Sequence, residues 1–527
     1  MVATASTQAV IAGKPLGLGI AQASAVMGLD AHAITVEVCC TRGPSFYQIV
    51  GLAQASVREA RVRVSSALAR LGVLLDEHAV TINLAPADLK KTGAALDLAI
   101  ALSALAALDQ LPCAALEGIL VLGELALDGS LRPVRGVLPQ LEGARARGLR
   151  HAIVPARNAR EAGLVSGITA FGAAHLEDVV AHLRGQRGLP PVAATRLHAG
   201  CAEQRFGDLS DVRGQSAARR ALEIAAAGGH NLLLIGPPGG GKTLLARLLP
   251  TILPPLSFDE ALETTKVHSV AGLVDPDEGG VSVRPFRAPH HSVSEAGLVG
   301  GGEVPRPGEV SLAHHGVLFL DELAEFRRGA LEALRQPLED GQVCIARARA
   351  RAWFPARPLV VAAVNPCPCG YFGHPRRPCR CSDEARRRYL SRLSGPLLDR
   401  IDLHVGVPPV DTLALCSTAN GEPSASVRAR VEAARACAVS RRAAGEVSAG
   451  VNATLSRAEL DSVAAPDSEG RRLLDAAISR LGLSARAYVR VLRVARTIAD
   501  LADSARVRGP HIAEAISGRL LDREVTS

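Results

Sequence analysis

Residues 234–249, LIGPPGGGKTLLARLL, carry glycines at Gly236, Gly239, Gly240 and Gly241, prolines at Pro237 and Pro238, and then Lys242 and Thr243. The spacing G-x-x-x-x-G-K-T suits a polyphosphate. Glycines let successive backbone N–H groups converge on an anion, and the positive end of the following helix adds to the attraction. Lys242 then reaches the β- and γ-phosphates, and the Thr243 hydroxyl ligates Mg²⁺. Hydrolysis needs a second metal ligand and a group that acts on water. GVLFLDE (316–322) offers both: Asp321 for Mg²⁺, and Glu322 to orient or deprotonate the attacking water. A third apolar run, LVVAAVN (359–365), ends in Asn365, at the carboxyl edge where such sheets bind nucleotides. ATP and Mg²⁺ are the expected cofactors.

Four of the eleven cysteines cluster in CPCGYFGHPRRPCRC: Cys367, Cys369, Cys379 and Cys381. Four thiolates on a short, turn-rich loop satisfy tetrahedral zinc, so the expectation is a structural Zn²⁺ site, with free or redox-active thiols as the alternative. His374 is a substitute ligand, and Arg376, Arg377 and Arg380 decorate the loop. The other seven cysteines (Cys39, Cys40, Cys113, Cys201, Cys344, Cys416 and Cys437) are scattered, as in reduced proteins. CIARARARAWFPARP (344–358) alternates Arg347, Arg349 and Arg351 with alanine. As a single strand, its period of two puts all three guanidinium groups and Trp353, the only tryptophan, on one face. Two readings are open: a basic surface for a nucleic-acid backbone, or a charged edge strand that resists aggregation. The pairs His290-His291 and His314-His315 are read as packing or capping groups ahead of metal ligands.

These residues need a parallel sheet to hold them. NLLLI (231–235) reads as the strand before the phosphate loop and KTLLARLL as the helix after it. At 527 residues, 48% hydrophobic and 21% charged, the chain is long enough for two to four globular domains. The net charge of +8 permits a phosphate-backbone partner, while 3% aromatics leaves few stacking platforms. Residues 1–185 mix β-branched stretches with alanine-rich helical ones in an α+β pattern. Residues 186–205, with Pro190-Pro191, read as a linker, 206–410 as an alternating α/β core, and 411–527 as an all-helical domain. No stretch of about 18 apolar residues occurs, and the first residues lack a signal-peptide pattern, so no membrane partner and a cytoplasmic location are expected.

FGDLSDVRGQ (206–215), the 43-residue run from Arg284 to Phe326, NPCPCG (365–370), LLDRIDLHV (397–405) and SARAYVRVLRVARTIADL (484–501) together resemble the magnesium-chelatase-like AAA+ ATPases of the YifB/ComM family. The resemblance spans nearly the whole chain. It implies an AAA+ core with a helix-2 insert, a pre-sensor hairpin and a four-cysteine loop, followed by a helical lid. It assigns Asn365 as sensor 1, Arg400 as an arginine finger acting on a neighbour's ATP, and Arg486 as sensor 2. A finger in trans implies a ring, most simply a homohexamer. The family further implies a DNA helicase that migrates branched or duplex DNA in recombination during natural transformation; a chelatase-like ATPase remodelling a protein partner is the alternative. VLGELALDGSLRPVRGVLPQLEGARARGLRHAIVPARN (121–158) and APADLKKTGAALDLAIALSALA (85–106) resemble the S5-like fold of the Lon protease domain. Its serine and lysine positions fall near Ala95 and Leu138, so this domain is read as a scaffold or interaction domain. Lys90, Lys91 and Thr92 lie nearby, but 85–102 holds no serine.

Overall fold

The computed structural model describes residues 15–51, 59–87, 89, 91, 94–197, 200, 202–347, 350–393, 395–409, 421–481 and 483–519. The molecule is mixed α/β. In its first part, β1 (Pro15–Met27) and β2 (Asp30–Arg42) make a long antiparallel ribbon, with Gln22 opposite Thr35. β3 (Phe46–Val50), β4 (His78–Ala85) and β5 (Ile119–Val121) join that sheet, β6 (Glu124–Leu125) and β7 (Leu131–Arg132) pair separately, and β8 (His151–Pro155) and β9 (Thr169–Ala173) complete the far edge. The order is β3-β4-β2-β1-β5-β8-β9, antiparallel around β2 and parallel elsewhere. The helix Asp97–Ala107 is buried at every position, which explains why all of its residues but Asp97 and Ser103 are apolar. It approaches β1 so closely that a Cβ on Gly19 would lie 1.9 Å from the Ser103 carbonyl oxygen, so glycine is required there.

Ala95 and Leu138 pack in one apolar cluster with Leu120 and Leu141. Lys91 is fully buried and donates to the Pro86 carbonyl oxygen; Lys90 and Thr92 lie outside the described residues. The stretch expected as a linker is tied down at several points. Val192 N–H donates to Ala170 O at 2.8 Å and Thr195 N–H to Gly163 O at 2.9 Å, and a short helix, Ala202–Phe206, starts inside it. Backbone groups without a ladder partner are satisfied by the neighbouring fold, a tertiary effect that proline content does not reveal.

The second sheet contains β10 (Leu232–Ile235), β11 (Phe286–Arg287), β14 (Val317–Leu320), β17 (Leu359–Val364) and β18 (Leu403–Gly406). It is parallel throughout, in the order β11-β14-β17-β10-β18. Every residue of β10, β14 and β17 is buried, as expected of a parallel sheet covered on both faces. Two hairpins leave this layer: β12 (Gly300–Gly301) with β13 (Arg306–Pro307), and β15 (Gln342–Arg347) with β16 (Ala350–Pro355). The helices Ser424–Ala443, Ser468–Leu481, Ala485–Leu501 and Gly509–Ser517 follow, and one continuous core joins them to the sheet, from Leu222 and Val361 through Val431 to Ile512.

The two parts are docked together. Gly136 N–H donates to Ser269 O at 3.1 Å, and Lys266 pairs with Glu142 at 2.8 Å. Buried Glu161 accepts from the Ser269 hydroxyl and from Leu138 N–H; burial pushes its carboxyl pKa up against these hydrogen bonds. The β1–β2 turn abuts β16, where a Cβ on Gly28 would lie 3.0 Å from that of Ala352, and Leu29 packs into the cluster around Phe354.

Candidate active site

β10 delivers its chain into the glycine run, and the helix Lys242–Ile252 leaves it. Gly239 and Gly241 adopt φ of +80° and +87°, in the left-handed region that glycine occupies without strain. Those conformations suit a loop that wraps an anion, although Gly240 N–H donates to Pro237 O at 3.3 Å and Gly236 N–H to Val364 O at 3.2 Å. Lys242 is buried, its ammonium donating to Gly236 O at 2.6 Å, Pro237 O at 3.0 Å and Asn365 Oδ1 at 3.1 Å. Burial draws its pKa down, opposed by the charges of Asp321 and Glu322. Thr243 Oγ1 donates to Asp321 Oδ2 at 2.8 Å. These two oxygens, at the ends of neighbouring layers, fit a divalent cation that accompanies phosphate. Lys242, Thr243, Asp321 and Asn365 thus converge from three segments far apart in sequence. Glu322 is exposed at the end of β14 with φ of +52°. The site also has a member that composition and spacing did not single out. Gln215 donates through Nε2 to Gly240 O at 3.1 Å and Pro408 O at 2.6 Å, clasping the loop.

Arg400 and Arg486 do not join this group. Asn231, just before β10, donates through Nδ2 to Arg400 O at 3.0 Å, so Arg400 lies at the opposite end of β10 from the loop, about 16 Å away at ordinary strand rise. Arg400 pairs with Glu339, and Arg486, 68% exposed, lies 3.8 Å from Asp399. Both line a cavity of about 1270 Å³ between sheet and lid that also receives Arg357, Arg435 and Arg490. The segments that carry the two arginines share a buried anchor. Asp402 is buried, with His230 Nδ1 3.3 Å from its Oδ2 and Arg490, one turn from Arg486, donating to its Oδ1. Burial pushes the Asp402 carboxyl up, but the His230 hydrogen bond and the Arg490 charge outweigh it and hold the carboxyl well below the usual carboxylate range.

The loop after Asn365 carries the cysteines. Their sulfurs all lie within 4.8 Å of one another, with Cys367 to Cys369 at 3.3 Å and Cys379 at 3.6 Å from each. Tetrahedral zinc–thiolate bonds separate sulfurs by about 3.8 Å, so the four fit such an ion. Backbone N–H groups of Tyr371 and Arg380 draw the Cys369 thiol down to about 6, whereas burial pushes the Cys367 thiol up to about 12. His374 stands outside this cluster, its Nδ1 accepting from Arg376 N–H and Arg377 N–H at 3.1 Å each. Arg376, Arg377 and Arg380 are exposed. The same loop packs on the phosphate loop: a Cβ on Gly370 would come within 2.7 Å of Pro238 Cδ.

The arginine stretch differs from its expected form. It is a hairpin, with Arg347 opposite Ala350, Ala346 opposite Arg351 and Cys344 opposite Trp353. Directly opposed residues share a face, so Arg351 and Trp353 lie together while Arg347 points to the other side, with Ile345 and Ala352. The chain reverses where a single strand was expected, which breaks the period of two. Arg349 lies outside the described residues. Arg347 and Arg351 are exposed and Trp353 is 46% exposed; Arg347 Nε donates to Gly302 O at 3.3 Å.

The histidine pairs take different roles. His314 and His315 approach Glu263 at 3.2 and 2.9 Å, a trio close enough to hold an ion. However, His314 Nδ1 accepts from Arg357 N–H at 3.1 Å, which leaves the proton on Nε2, the atom facing Glu263, and blocks ligation. Burial lowers the His314 pKa to about 4, so this ring is neutral. His290 Nδ1 lies 2.8 Å from Ser292 Oγ, whereas His291 Nδ1 lies 3.2 Å from Glu322 Oε2.

Comparison with known proteins gives matches along nearly the whole chain. Residues 208–415 match the family model for magnesium chelatase subunit ChlI, 36–158 a second ChlI model, and 421–519 the model of the ChlI C-terminal region. The chain is 44% identical over 509 residues to the uncharacterized protein YifB of Salmonella typhimurium, covering 96% of this chain and 98% of that one. It is 45% identical over 515 residues to the competence protein ComM of Haemophilus influenzae, with the same coverage. A further match, 32% identical over 147 residues and covering 25% of each chain, is to Lon protease 2 of Bacillus subtilis.

Proposed function

This chain belongs to the YifB/ComM family of magnesium-chelatase-like AAA+ ATPases, and from that premise we propose that it is a hexameric motor that migrates strands of branched or duplex DNA. Mg²⁺ and ATP bring the divalent charge and the phosphoanhydride. Lys242 turns from the loop carbonyls to the phosphates, and Thr243 and Asp321 hold the metal. Glu322 accepts a proton from water as the water oxygen attacks the terminal phosphorus. The bond to the bridging oxygen breaks, and ADP and phosphate leave. Asn365 positions the reacting groups. Arg400 and Arg486, placed at the far end of β10 from their own loop, complete the site of an adjacent subunit and stabilise the charge that develops there. Zinc on Cys367, Cys369, Cys379 and Cys381 braces the loop that packs against Pro238.

The observation that carries the DNA reading is the exposed Arg347, Arg351 and Trp353 on a hairpin whose second strand, β16, runs through three residues into β17 and hence to Asn365 and Lys242. Movement of the nucleotide site is thereby tied to a basic surface. A relative named for competence supports a place in recombination during transformation. The second reading, a remodelling ATPase acting on a protein, draws on the chelatase family descriptions. ATP turnover measured with and without four-way or forked DNA separates them. The motor reading expects stimulation together with salt-sensitive binding. Replacing Arg347, Arg349 and Arg351 by alanine should flatten the log–log salt slope by about 0.7–0.9 for each phosphate no longer neutralised. DNA affinity and slope unchanged by the triple substitution would leave the protein-remodelling reading in place.

A further inference from the structure

The arginine hairpin has two faces. Arg351 and Trp353 are exposed on one; Val343, Ile345, Ala352 and Phe354 are buried on the other. Distant segments supply the cover for that buried face. Under β15, a Cβ on Gly300 of β12 would lie 2.8 Å from Ile345 Cδ1. Under β16 lies the two-residue turn Gly28-Leu29, which joins β1 to β2 in the first part of the chain. A Cβ on Gly28 would lie 3.0 Å from that of Ala352 and 3.5 Å from the backbone nitrogen of Trp353. The turn therefore stands directly behind the exposed side chains.

We infer that the β1–β2 ribbon is a strut, and that Gly28 and Leu29 are positioning residues that hold Arg351 and Trp353 out toward nucleic acid. The inference rests on reading this hairpin as the DNA contact, and it gives the Lon-like part of the chain a mechanical task. A two-stranded hairpin is marginally stable by itself, so one that bears load needs backing. The ribbon is built to give it. Each of its strands has 13 residues, about 40 Å at ordinary rise. At its base the helix Asp97–Ala107 clamps β1, where a Cβ on Gly17 would lie 2.7 Å from Ala107 O. Near its tip the helix Val137–Ala146 braces β2: a Cβ on Gly143 would lie 2.7 Å from that of Ala31, and Arg147 Nη1 donates to Ala31 O at 3.5 Å. Gly136, just before that helix, donates to Ser269 O, so the brace is fixed to the second part as well. Leu29 completes the wedge by packing into the cluster that holds Val343, Ile345 and Phe354.

Trp353 is the only tryptophan, so its emission reports on the hairpin alone. The test uses the full-length protein with Leu29→Ala, which truncates one half-buried side chain at a turn, and calorimetry checks that the variant is folded at the assay temperature. Without DNA, acrylamide quenching of Trp353 should rise about twofold, as the side chain goes from 46% exposed to nearly open. Affinity for forked DNA should fall about tenfold, the worth of one stacked base. Turnover of ATP without DNA should stay within about twofold of the parent, because the hairpin joins the start of β17 while Lys242 meets Asn365 beyond its end. Leu29→Val should give the same changes at smaller size, and Leu29→Met, which keeps the bulk, should restore the parent's quenching and affinity. Unchanged quenching in Leu29→Ala overturns the inference. Raised quenching with unchanged affinity overturns it too, since the hairpin is then displaced at no cost to binding. A parent protein that fails to bind forked DNA overturns the DNA reading, and the quenching arm then decides the strut by itself.

Discussion

At the scale of single residues, Lys242 and Glu322 are separable. In the proposed reaction Lys242 meets phosphate charge directly, so Lys242→Ala should abolish nucleotide binding as read by a fluorescent analogue. Glu322 is proposed to act on water alone: Glu322→Gln should then bind as the parent does and lose about 10²–10⁴ in kcat, the range a general base supplies. The groups that were legible from sequence are those fixed by local geometry. Gly236 to Thr243 must form one loop, and Asp321 must end a buried strand. His291 and Gln215 were not legible as site residues, because their partners are set by strand register and loop packing, and no spacing within their own segments encodes either. For the same reason Arg347 and Arg351 were expected on one face: alternation is visible in sequence, but the position of a hairpin tip is decided by the partner strand.

At the scale of elements, the helix that carries Arg486 is pinned to the start of β18, beyond Arg400, by Asp402, Arg490 and His230. The sequence displays Asp402 only as one acid in LLDRIDLHV, and its burial arises from three segments meeting. Asp402→Asn should destabilise the lid by about 3–5 kcal/mol at neutral pH, because it leaves buried charge uncompensated. Calorimetry or denaturant titration would read this as an early transition. The pH dependence has a definite sign. The folded carboxyl titrates below its ordinary value of 3.8, so its contribution is complete above that value and fades as pH falls toward the folded one. The gap between parent and variant should therefore narrow only in acid. The cysteine loop makes an independent claim. Elemental analysis of protein purified without added metal should find about one zinc per chain, and replacing Cys367 and Cys379 by serine should remove it. A loss of ATP affinity should follow, because the loop packs on Pro238. An unaltered metal content would place zinc elsewhere.

At the scale of the whole molecule, the first part of the chain includes a region similar to a Lon protease, in which Ala95 and Leu138 share an apolar cluster. It meets the second part through the buried Glu161–Ser269 pair and the turn at Gly28 and Leu29. No helix among the described residues is long and apolar enough to cross a membrane. The placement of Arg400 and Arg486, at the far end of β10 from Lys242, also has a kinetic meaning. On the proposed roles of Arg400 and Arg486 in a neighbour's site, one chain would own both halves of a catalytic apparatus yet not bring them together. Turnover per molecule is then a function of crowding: dilution acts as a brake with no inhibitor present, and specific activity should climb sigmoidally with protein concentration. Titrating Arg400→Ala chains into parent protein should silence more sites than the added fraction alone accounts for, so a minority of faulty copies would dominate the behaviour of the pool.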